Sequence, residues 1–138
     1  MDFASFDAQV RKVSELILGD KFQPDLIVGV ARGGWIPARL LSKYLNVKKL
    51  SSYGIAYTDS TRTTTETYQA VLPSPDISKI LVVEDFLESG KSIKHVIKEL
   101  AAKGIDVRSA AVGYLEKTNL IPTYSLGCVK EIPQFPWD

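Results

Sequence analysis

Residues 80–92 read Ile80-Leu81-Val82-Val83-Glu84-Asp85-Phe86-Leu87-Glu88-Ser89-Gly90-Lys91-Ser92. The four apolar residues at the start predict a buried strand, and two adjacent carboxylates end it. A short loop then leads into a predicted helix, which runs from Lys91 to Lys103 and ends at Gly104. A strand, a loop and a helix in this order are typical of the βαβ units that build parallel sheets.

The same alternation of strand and helix continues in both directions along the chain. Predicted helices cover 5–18, 36–44 and 91–103, predicted strands cover 25–30, 47–57, 67–72, 79–84 and 107–115, and residues 119–138 form an irregular tail. Three of these strands are continuously apolar, as strands covered on both faces are expected to be. We therefore predict an α/β fold with a parallel twisted sheet, helices on both faces, and a ligand site outside the carboxyl ends of the strands.

The composition argues against several classes of protein. The 138 residues fit one domain, and 45% hydrophobic and 24% charged residues are ordinary values for a globular protein. The net charge is +1 and the basic residues are scattered, so we expect no nucleic-acid partner. The longest clearly apolar stretch, Leu26 to Ala31, is far shorter than the about 20 residues that cross a bilayer, so we expect no membrane partner. The N-terminus has no secretion-signal pattern and Cys128 is the only cysteine, so we expect a cytoplasmic protein without an internal disulfide.

Residues 89–92 predict a phosphate-binding site at the start of a helix. Backbone amides there are unpaired, and the helix dipole favours an anion. Gly90 lets the backbone approach a ligand, while the neighbouring serines offer hydroxyl donors and Lys91 offers charge. An N-capping serine and a turn glycine without a ligand are the alternative for this segment taken alone.

The two acids before this segment favour a ligand. Glu84 and Asp85 would repel each other and lose hydration at the end of a buried strand. The hydroxyl groups of a sugar, or a hydrated Mg²⁺, would satisfy them. A Walker A nucleotide site does not fit, because the first glycine of that motif would have to stand at Asp85.

A second candidate site follows the first predicted strand, where the chain reads Ala31-Arg32-Gly33-Gly34. Consecutive glycines expose backbone amides and Arg32 offers a forked cation, a combination that suits a pyrophosphate. A tight strand–helix connection with a surface arginine is the alternative for this segment alone.

Together these segments resemble the type I phosphoribosyltransferases, over the chain from about Pro24 onward. Residues 80–92 are similar to the phosphoribosyl pyrophosphate signature of that family, and the acid at Glu88 with Lys91 after the glycine is most similar to its hypoxanthine-guanine branch. Residues 31–34 resemble the pyrophosphate loop of the xanthine-guanine enzymes. The resemblance implies transfer of a 5-phosphoribosyl group from phosphoribosyl pyrophosphate to a 6-oxopurine base (guanine, hypoxanthine or xanthine), with release of pyrophosphate.

The resemblance also implies roles for individual residues. Glu84 and Asp85 would bind the ribose hydroxyls and lie near a Mg²⁺ cofactor. The implied ribose and 5′-phosphate residues are Glu84, Asp85, Glu88, Ser89, Gly90, Lys91 and Ser92, the pyrophosphate residues are Ala31, Arg32 and Gly33, and the catalytic residues are Glu88, Arg32 and Asp85. Glu88 would lie near N7 of the purine, and a cis peptide bond is expected between Ala31 and Arg32.

The family also places a mobile catalytic loop after a Ser-Tyr pair. Here Ser52 and Tyr53 precede the polar stretch 58–65, for which an ordinary hairpin tip is the alternative. By resemblance Lys117 would donate to the 6-oxo group of the base. The aromatic-aliphatic pair that covers the base in relatives is missing, so Ile132 or Phe135 would take its place.

The resemblance further implies one phosphoribosyltransferase domain over residues 1–138, with a small hood formed mainly by 116–138, and a homo-oligomer, either a dimer or a tetramer. A non-catalytic sensor of phosphoribosyl pyrophosphate or a nucleotide is the main alternative function, and the intact acids, Arg32 and phosphate segment favour the enzyme over it. An enzyme for another acceptor, such as a pyrimidine, is a third possibility, against which Lys117 and the tail argue.

Overall fold

A five-stranded sheet lies at the centre of the computed structural model, which describes residues 1–61 and 65–138. In chain order the elements are α1 (Phe3–Gly19), β1 (Leu26–Ala31), α2 (Trp35–Tyr44), β2 (Leu50–Tyr57), β3 (Thr65–Gln69), β4 (Lys79–Val83), β5 (Phe86–Leu87), α3 (Lys91–Ala101), β6 (Asp106–Ala110), β7 (Gly113–Leu115) and β8 (Cys128–Val129). Within the described residues, none of the helices has the length and apolar character that a membrane crossing requires.

The strand order in the central sheet is β3-β2-β1-β4-β6. β1 pairs in parallel with β2 and β4, β4 pairs in parallel with β6, and β3 is antiparallel to β2. The chain leaves β1 towards one edge of the sheet and leaves β4 towards the other. The carboxyl ends of β1 and β4 therefore form the point at which such sheets bind ligands.

Helices cover both faces of the sheet, as predicted. α1 and α2 pack on one face, where Phe6 and Leu41 join a core cluster with Ile27 and Leu81. α3 packs on the other face together with the alternate strand residues. Successive strand side chains point to opposite faces, which is why β1 and β4 are apolar throughout.

The first helix begins at a capping residue. Asp2 is the N-cap, and its Oδ1 accepts a hydrogen bond of 2.7 Å from the Ser5 amide. The buried residues of α1 recur at helical spacing and form one stripe towards the core, which places the helix against α2.

The single strand predicted over 107–115 is wrong. β6 ends at Ala110, and β7 belongs to a second sheet of order β5-β7-β8. Where the chain crosses from one sheet to the other, it stays hydrogen-bonded to the segment that follows β4. Ala110 O accepts from the Glu84 amide at 3.0 Å, and Asp85 O accepts from the Val112 amide at 2.8 Å. Residues 111 and 112 are buried like strand residues, so their composition gives no sign of the break.

The remaining boundaries differ by a few residues from the predictions. The strands predicted over 47–57 and 67–72 are 50–57 and 65–69, and β8 lies in the tail that was predicted to be irregular. The short strand β5 was not predicted, since two residues carry no periodic pattern.

Gly34 generates a test of the packing between β1, β4 and α2. A Cβ atom on Gly34 would lie 2.2 Å from Val83 O and 2.6 Å from Val30 N, so a side chain there displaces backbone. We expect Gly34→Ala to lower the free energy of unfolding by at least about 2 kcal/mol in a urea titration. Gly19→Ala is the control, because no heavy atom lies within 4 Å of its added Cβ, and we expect a change below about 1 kcal/mol. Equal stability of the two variants would contradict this packing.

Candidate functional site

A cavity of about 390 Å³ opens beyond the carboxyl ends of β1 and β4. Its lining comes from β1, β2, the segment after β4 and the tail: Ala31, Ile55, Tyr57, Glu84, Asp85, Phe86, Glu88, Ser89, Gly90, Lys91, Ser92, Ile132, Pro133, Phe135 and Asp138. The structure thus brings together every residue that was predicted for the ribose and the 5′-phosphate. Ala31, Ile132 and Phe135 line the same cavity.

Arg32 and Gly33 line a neighbouring cleft of about 630 Å³, together with Trp35, Ile36, Asp85, Trp137 and Asp138. Asp85 and Asp138 line both spaces, so the cavity and the cleft adjoin the same two acids. A Cβ on Gly33 would lie 2.9 Å from either carboxylate oxygen of Asp85, which shows how closely the loop approaches this acid. The peptide bond between Ala31 and Arg32 is cis, as the resemblance implies.

The two adjacent acids have strongly altered acidities. Loss of hydration on burial raises the pKa of Glu84 to about 8, and the charge of Asp85 contributes to the increase. Burial also raises the pKa of Asp85 to about 6, and the charge of Asp138 adds to it, although the hydrogen bond from the Phe86 amide opposes the rise. Among the described residues neither acid forms an ion pair. Such unpaired, perturbed acids in a cavity indicate a functional site.

The start of α3 supplies donors to the same cavity. Gly90 is the N-cap with φ 74°, a left-handed conformation that favours glycine, and no side chain caps the helix. The capping serine considered for this segment is therefore wrong. The carbonyl of Gly90 accepts from the Lys94 amide at 3.0 Å, so the amides before Lys94 precede the first bond of the helix. Among the described residues, the one hydrogen bond from these amides is a long one of 3.3 Å, from the Lys91 amide to Ser89 Oγ.

Lys117 lies outside the cavity lining but is joined to it by an ion pair. Its Nζ donates to Glu88 Oε1 at 3.1 Å, and the two side chains are 63% and 50% exposed. An exposed pair of this kind contributes little to stability, so both groups can exchange partners with a ligand. Lys117 also lines a cleft beside the ends of β7 and β8.

The two tail residues predicted to cover the base differ in exposure. Ile132 is half-buried, whereas Phe135 is 6% exposed and its ring stacks on Trp137 at 4.9 Å between ring centres. Phe135 therefore contributes a fixed wall rather than a freely presented ring. Asp138 holds this turn of the tail, because its Oδ2 accepts from the Phe135 amide at 2.8 Å.

Ser52 and Tyr53 lie within β2 and not in a loop. Ser52 Oγ accepts from Trp35 Nε1 at 2.8 Å, and Tyr53 is buried with its ring 6.3 Å from that of His95. Neither residue lines the cavity. The mobile loop predicted over 58–65 includes residues 62–64, which lie outside the described residues.

Sequence reasoning missed five lining residues. They are Ile55, Tyr57, Phe86, Pro133 and Asp138. Ile55 and Tyr57 lie at the carboxyl end of a predicted strand, where parallel sheets bind ligands, and that position could have identified them. Asp138 had no such signal, because only the folding back of the tail places it beside Asp85.

Comparisons with known proteins show the family of this chain and the fold that it shares with solved structures. The family model described as phosphoribosyl transferase domain matches residues 4–138. A xanthine-guanine phosphoribosyltransferase from Idiomarina loihiensis is 26% identical over 116 residues, which covers 81% of this chain and 70% of that protein.

Solved structures with the same fold include two that align over almost the whole chain. A purine phosphoribosyltransferase from Pyrococcus horikoshii gives a TM-score of 0.86 at 25% identity and covers 100% of this chain and 91% of its own. The xanthine-guanine-hypoxanthine phosphoribosyltransferase of Helicobacter pylori gives 0.88 at 20% identity, with coverages of 99% and 94%. The family match over residues 4–138 shows that this chain belongs to the phosphoribosyl transferase domain family.

Proposed function

We propose that this protein transfers the 5-phosphoribosyl group of phosphoribosyl pyrophosphate to N9 of a 6-oxopurine base and releases pyrophosphate. The observation that carries the proposal is the single cavity in which Glu84 and Asp85 face the open start of α3. A sugar phosphate has hydroxyl donors for the carboxylates and an anionic group for the helix start.

The substrate groups have natural places around these residues. The 5′-phosphate lies at residues 89–92, where backbone amides and two serine hydroxyls can donate to it. The pyrophosphate lies beside Arg32 and Gly33, in the cleft that shares Asp85 with the cavity. The base lies between Glu88 and the tail residues Ile132 and Phe135.

The chemistry requires alignment and electrostatic stabilisation more than a covalent intermediate. As the bond from C1′ to pyrophosphate lengthens, positive charge develops on the ribose and negative charge on the leaving group. Arg32 stabilises the leaving group, and the carboxylates of Glu84 and Asp85 hold the ribose hydroxyls. N9 of the purine bonds to C1′, and Glu88 accepts the proton that leaves N7.

The residues present fit a Mg²⁺ cofactor. Carboxylate oxygens are the ligands that this ion prefers, and Glu84 and Asp85 would hold it. In residues 1–61 and 65–138 no group of three or more His, Cys, Asp or Glu could hold a metal, so substrate oxygens and water would complete the coordination. When bound, the ion neutralises charge on the departing pyrophosphate.

Base selection depends on Lys117 in this proposal. An ammonium beside Glu88 donates to a 6-oxo group, whereas a 6-amino purine offers no acceptor at that position.

Residues 116–138 act as a hood over the base within one domain, and the protein works in the cytoplasm as a dimer or tetramer.

A turnover assay with each base separately tests the function. The protein would be given Mg²⁺, phosphoribosyl pyrophosphate and guanine, hypoxanthine, xanthine or adenine, and nucleotide would be measured. We expect product with at least one 6-oxopurine and none with adenine. Binding of phosphoribosyl pyrophosphate without turnover of any base would favour the non-catalytic sensor instead.

Glu88 provides a prediction about the chemical step. Glu88→Leu removes the group that accepts the N7 proton, so we expect kcat to fall by about 100-fold or more, within the range of general acid–base contributions. Binding of a purine nucleotide, measured by calorimetry, should change little because the amides of residues 89–92 remain. Glu99→Leu, on the exposed side of α3, is the control and should keep full activity. An unchanged kcat in Glu88→Leu would remove this role.

The raised pKa of Glu84 predicts how stability depends on pH in the ligand-free protein. Below its ordinary pKa this acid is protonated in both the folded and the unfolded state. As pH rises, the unfolded state ionises first, so the free energy of unfolding falls until pH passes the folded pKa of about 8. We expect urea titrations between about pH 5 and about pH 9 to show this loss in the wild type and a smaller loss in Glu84→Gln. Glu99→Gln should follow the wild type, and equal slopes for all three proteins would contradict the raised pKa of Glu84.

A further inference from the structure

The two groups proposed to bind the purine come from separate segments of the chain. Glu88 lies in the phosphate loop, residues 88–90, and Lys117 lies in what we call the base segment, residues 117–120. The two residues are 29 positions apart in the sequence. Their exposed ion pair is too weak to set the distance between the segments by itself. Something else must hold the base segment in register with the phosphate loop.

Backbone contacts between the two segments supply this register. The Asn119 amide donates to Ser89 O at 2.8 Å. A Cβ on Gly90 would lie 2.6 Å from Thr118 Oγ1 and 3.2 Å from the Leu120 amide nitrogen, so the base segment is packed directly against Gly90. Leu120 in turn packs against the core cluster that contains Ile93, on the underside of α3.

The hydroxyl group of Thr118 shapes the part of the base segment that touches Gly90. Its Oγ1 donates to Leu120 O at 3.0 Å and accepts from the Leu120 amide at 3.3 Å. The Thr118 amide also donates to Leu115 O at 3.1 Å, which ties the segment to the end of β7. Thr118 Oγ1 therefore closes the turn after Lys117 and also packs directly against Gly90.

We propose that Thr118 is a positioning residue that couples the 5′-phosphate site to the base site, an inference that rests on the proposed function. The hydroxyl holds the base segment against Gly90, so that a phosphate which orders residues 88–90 also places Lys117 opposite Glu88. A ligand at the helix start then favours the arrangement that a purine requires. The coupling is reciprocal, because each ligand must raise the affinity for the other by the same factor.

The test compares two substitutions that differ by a single oxygen. Thr118→Ala and Thr118→Ser both remove the methyl group, but only Thr118→Ala removes the hydroxyl. The dissociation constant of hypoxanthine would be measured by calorimetry with and without saturating ribose 5-phosphate, and the ratio of the two values is the coupling factor. In the wild type we expect a factor of about 10, within the usual range for coupled sites.

In Thr118→Ala we expect the coupling factor to fall to within about twofold of one, whereas Thr118→Ser keeps most of it. Thr123→Ala is the matched control, because Thr123 Oγ1 accepts from the Ser109 amide at 3.1 Å and anchors the tail away from the phosphate loop. It should lower the melting temperature and leave the coupling unchanged. A lower melting temperature of Thr118→Ala with normal coupling would show a merely structural role and overturn the proposal.

The outcomes also separate this inference from the proposed function. If wild-type protein turns over a 6-oxopurine but Thr118→Ala keeps the wild-type coupling factor, only the role of Thr118 is wrong. If wild-type protein neither binds hypoxanthine nor turns over any base, the proposed function itself fails. A wild-type coupling factor of one, with normal turnover, would also overturn the coupling.

Discussion

The site depends on two carboxylates at the end of a buried strand, neither of which forms an ion pair among the described residues. Glu84 and Asp85 follow directly on β4, and burial raises the pKa values of both. Such a pair is unfavourable in the ligand-free protein, and the rest of the fold must keep it in place. It does so through the backbone, since the Glu84 amide donates to β6 and the Asp85 carbonyl accepts from residue 112. The acids are therefore fixed before a ligand arrives, which is the condition for electrostatic preorganisation.

The loops that bind the two ends of the proposed substrate are positioned by close contact rather than by side-chain bonds. Gly33 and Gly34 bring the arginine loop against Asp85 and against the backbone of β1 and β4. Gly90 brings the phosphate loop against the base segment in the same way. In each case a missing Cβ lets the loop backbone approach its neighbour closely: the side chain of Asp85 at Gly33, backbone at Gly34, and Thr118 Oγ1 at Gly90. The distances between the subsites are therefore set by close packing. Rigid placement of this kind suits a reaction in which alignment supplies much of the rate.

The second sheet connects the acids with the remainder of the site. β5 follows the acids directly and pairs with β7, which ends just before Lys117. β8 pairs with β7 and leads into the tail that carries Ile132 and Phe135. The tail returns along the acids, where the side chain of Asp138 adjoins both the cavity and the arginine cleft. The groups proposed to contact the base thus lie next to one small sheet, whose first strand begins directly after Glu84 and Asp85.

The sequence by itself determined the parts of the protein in which chemistry and conformation are local. The acids, the phosphate loop and the start of α3 lie within nine consecutive residues. Because they are neighbours in the chain, their motif, their place after a strand and the site that they share could be predicted without the fold. The parallel sheet and its two helical faces followed from periodicity, which is also a local property.

Only the tertiary structure decided where the strand breaks between Ala110 and Gly113. The same holds for the position of Asp138 beside Asp85 and for the close contact between Thr118 and Gly90. Likewise, the packing of Phe135 against Phe6 and Trp137, which makes its ring a fixed part of the cavity wall, comes only from the tertiary structure. These features join residues that are far apart in the chain, and their free energy comes from packing and hydrogen bonds that exist only after the sheets have formed. No pattern of neighbouring residues encodes such contacts, because the same residues would suit several partners until the fold selects one.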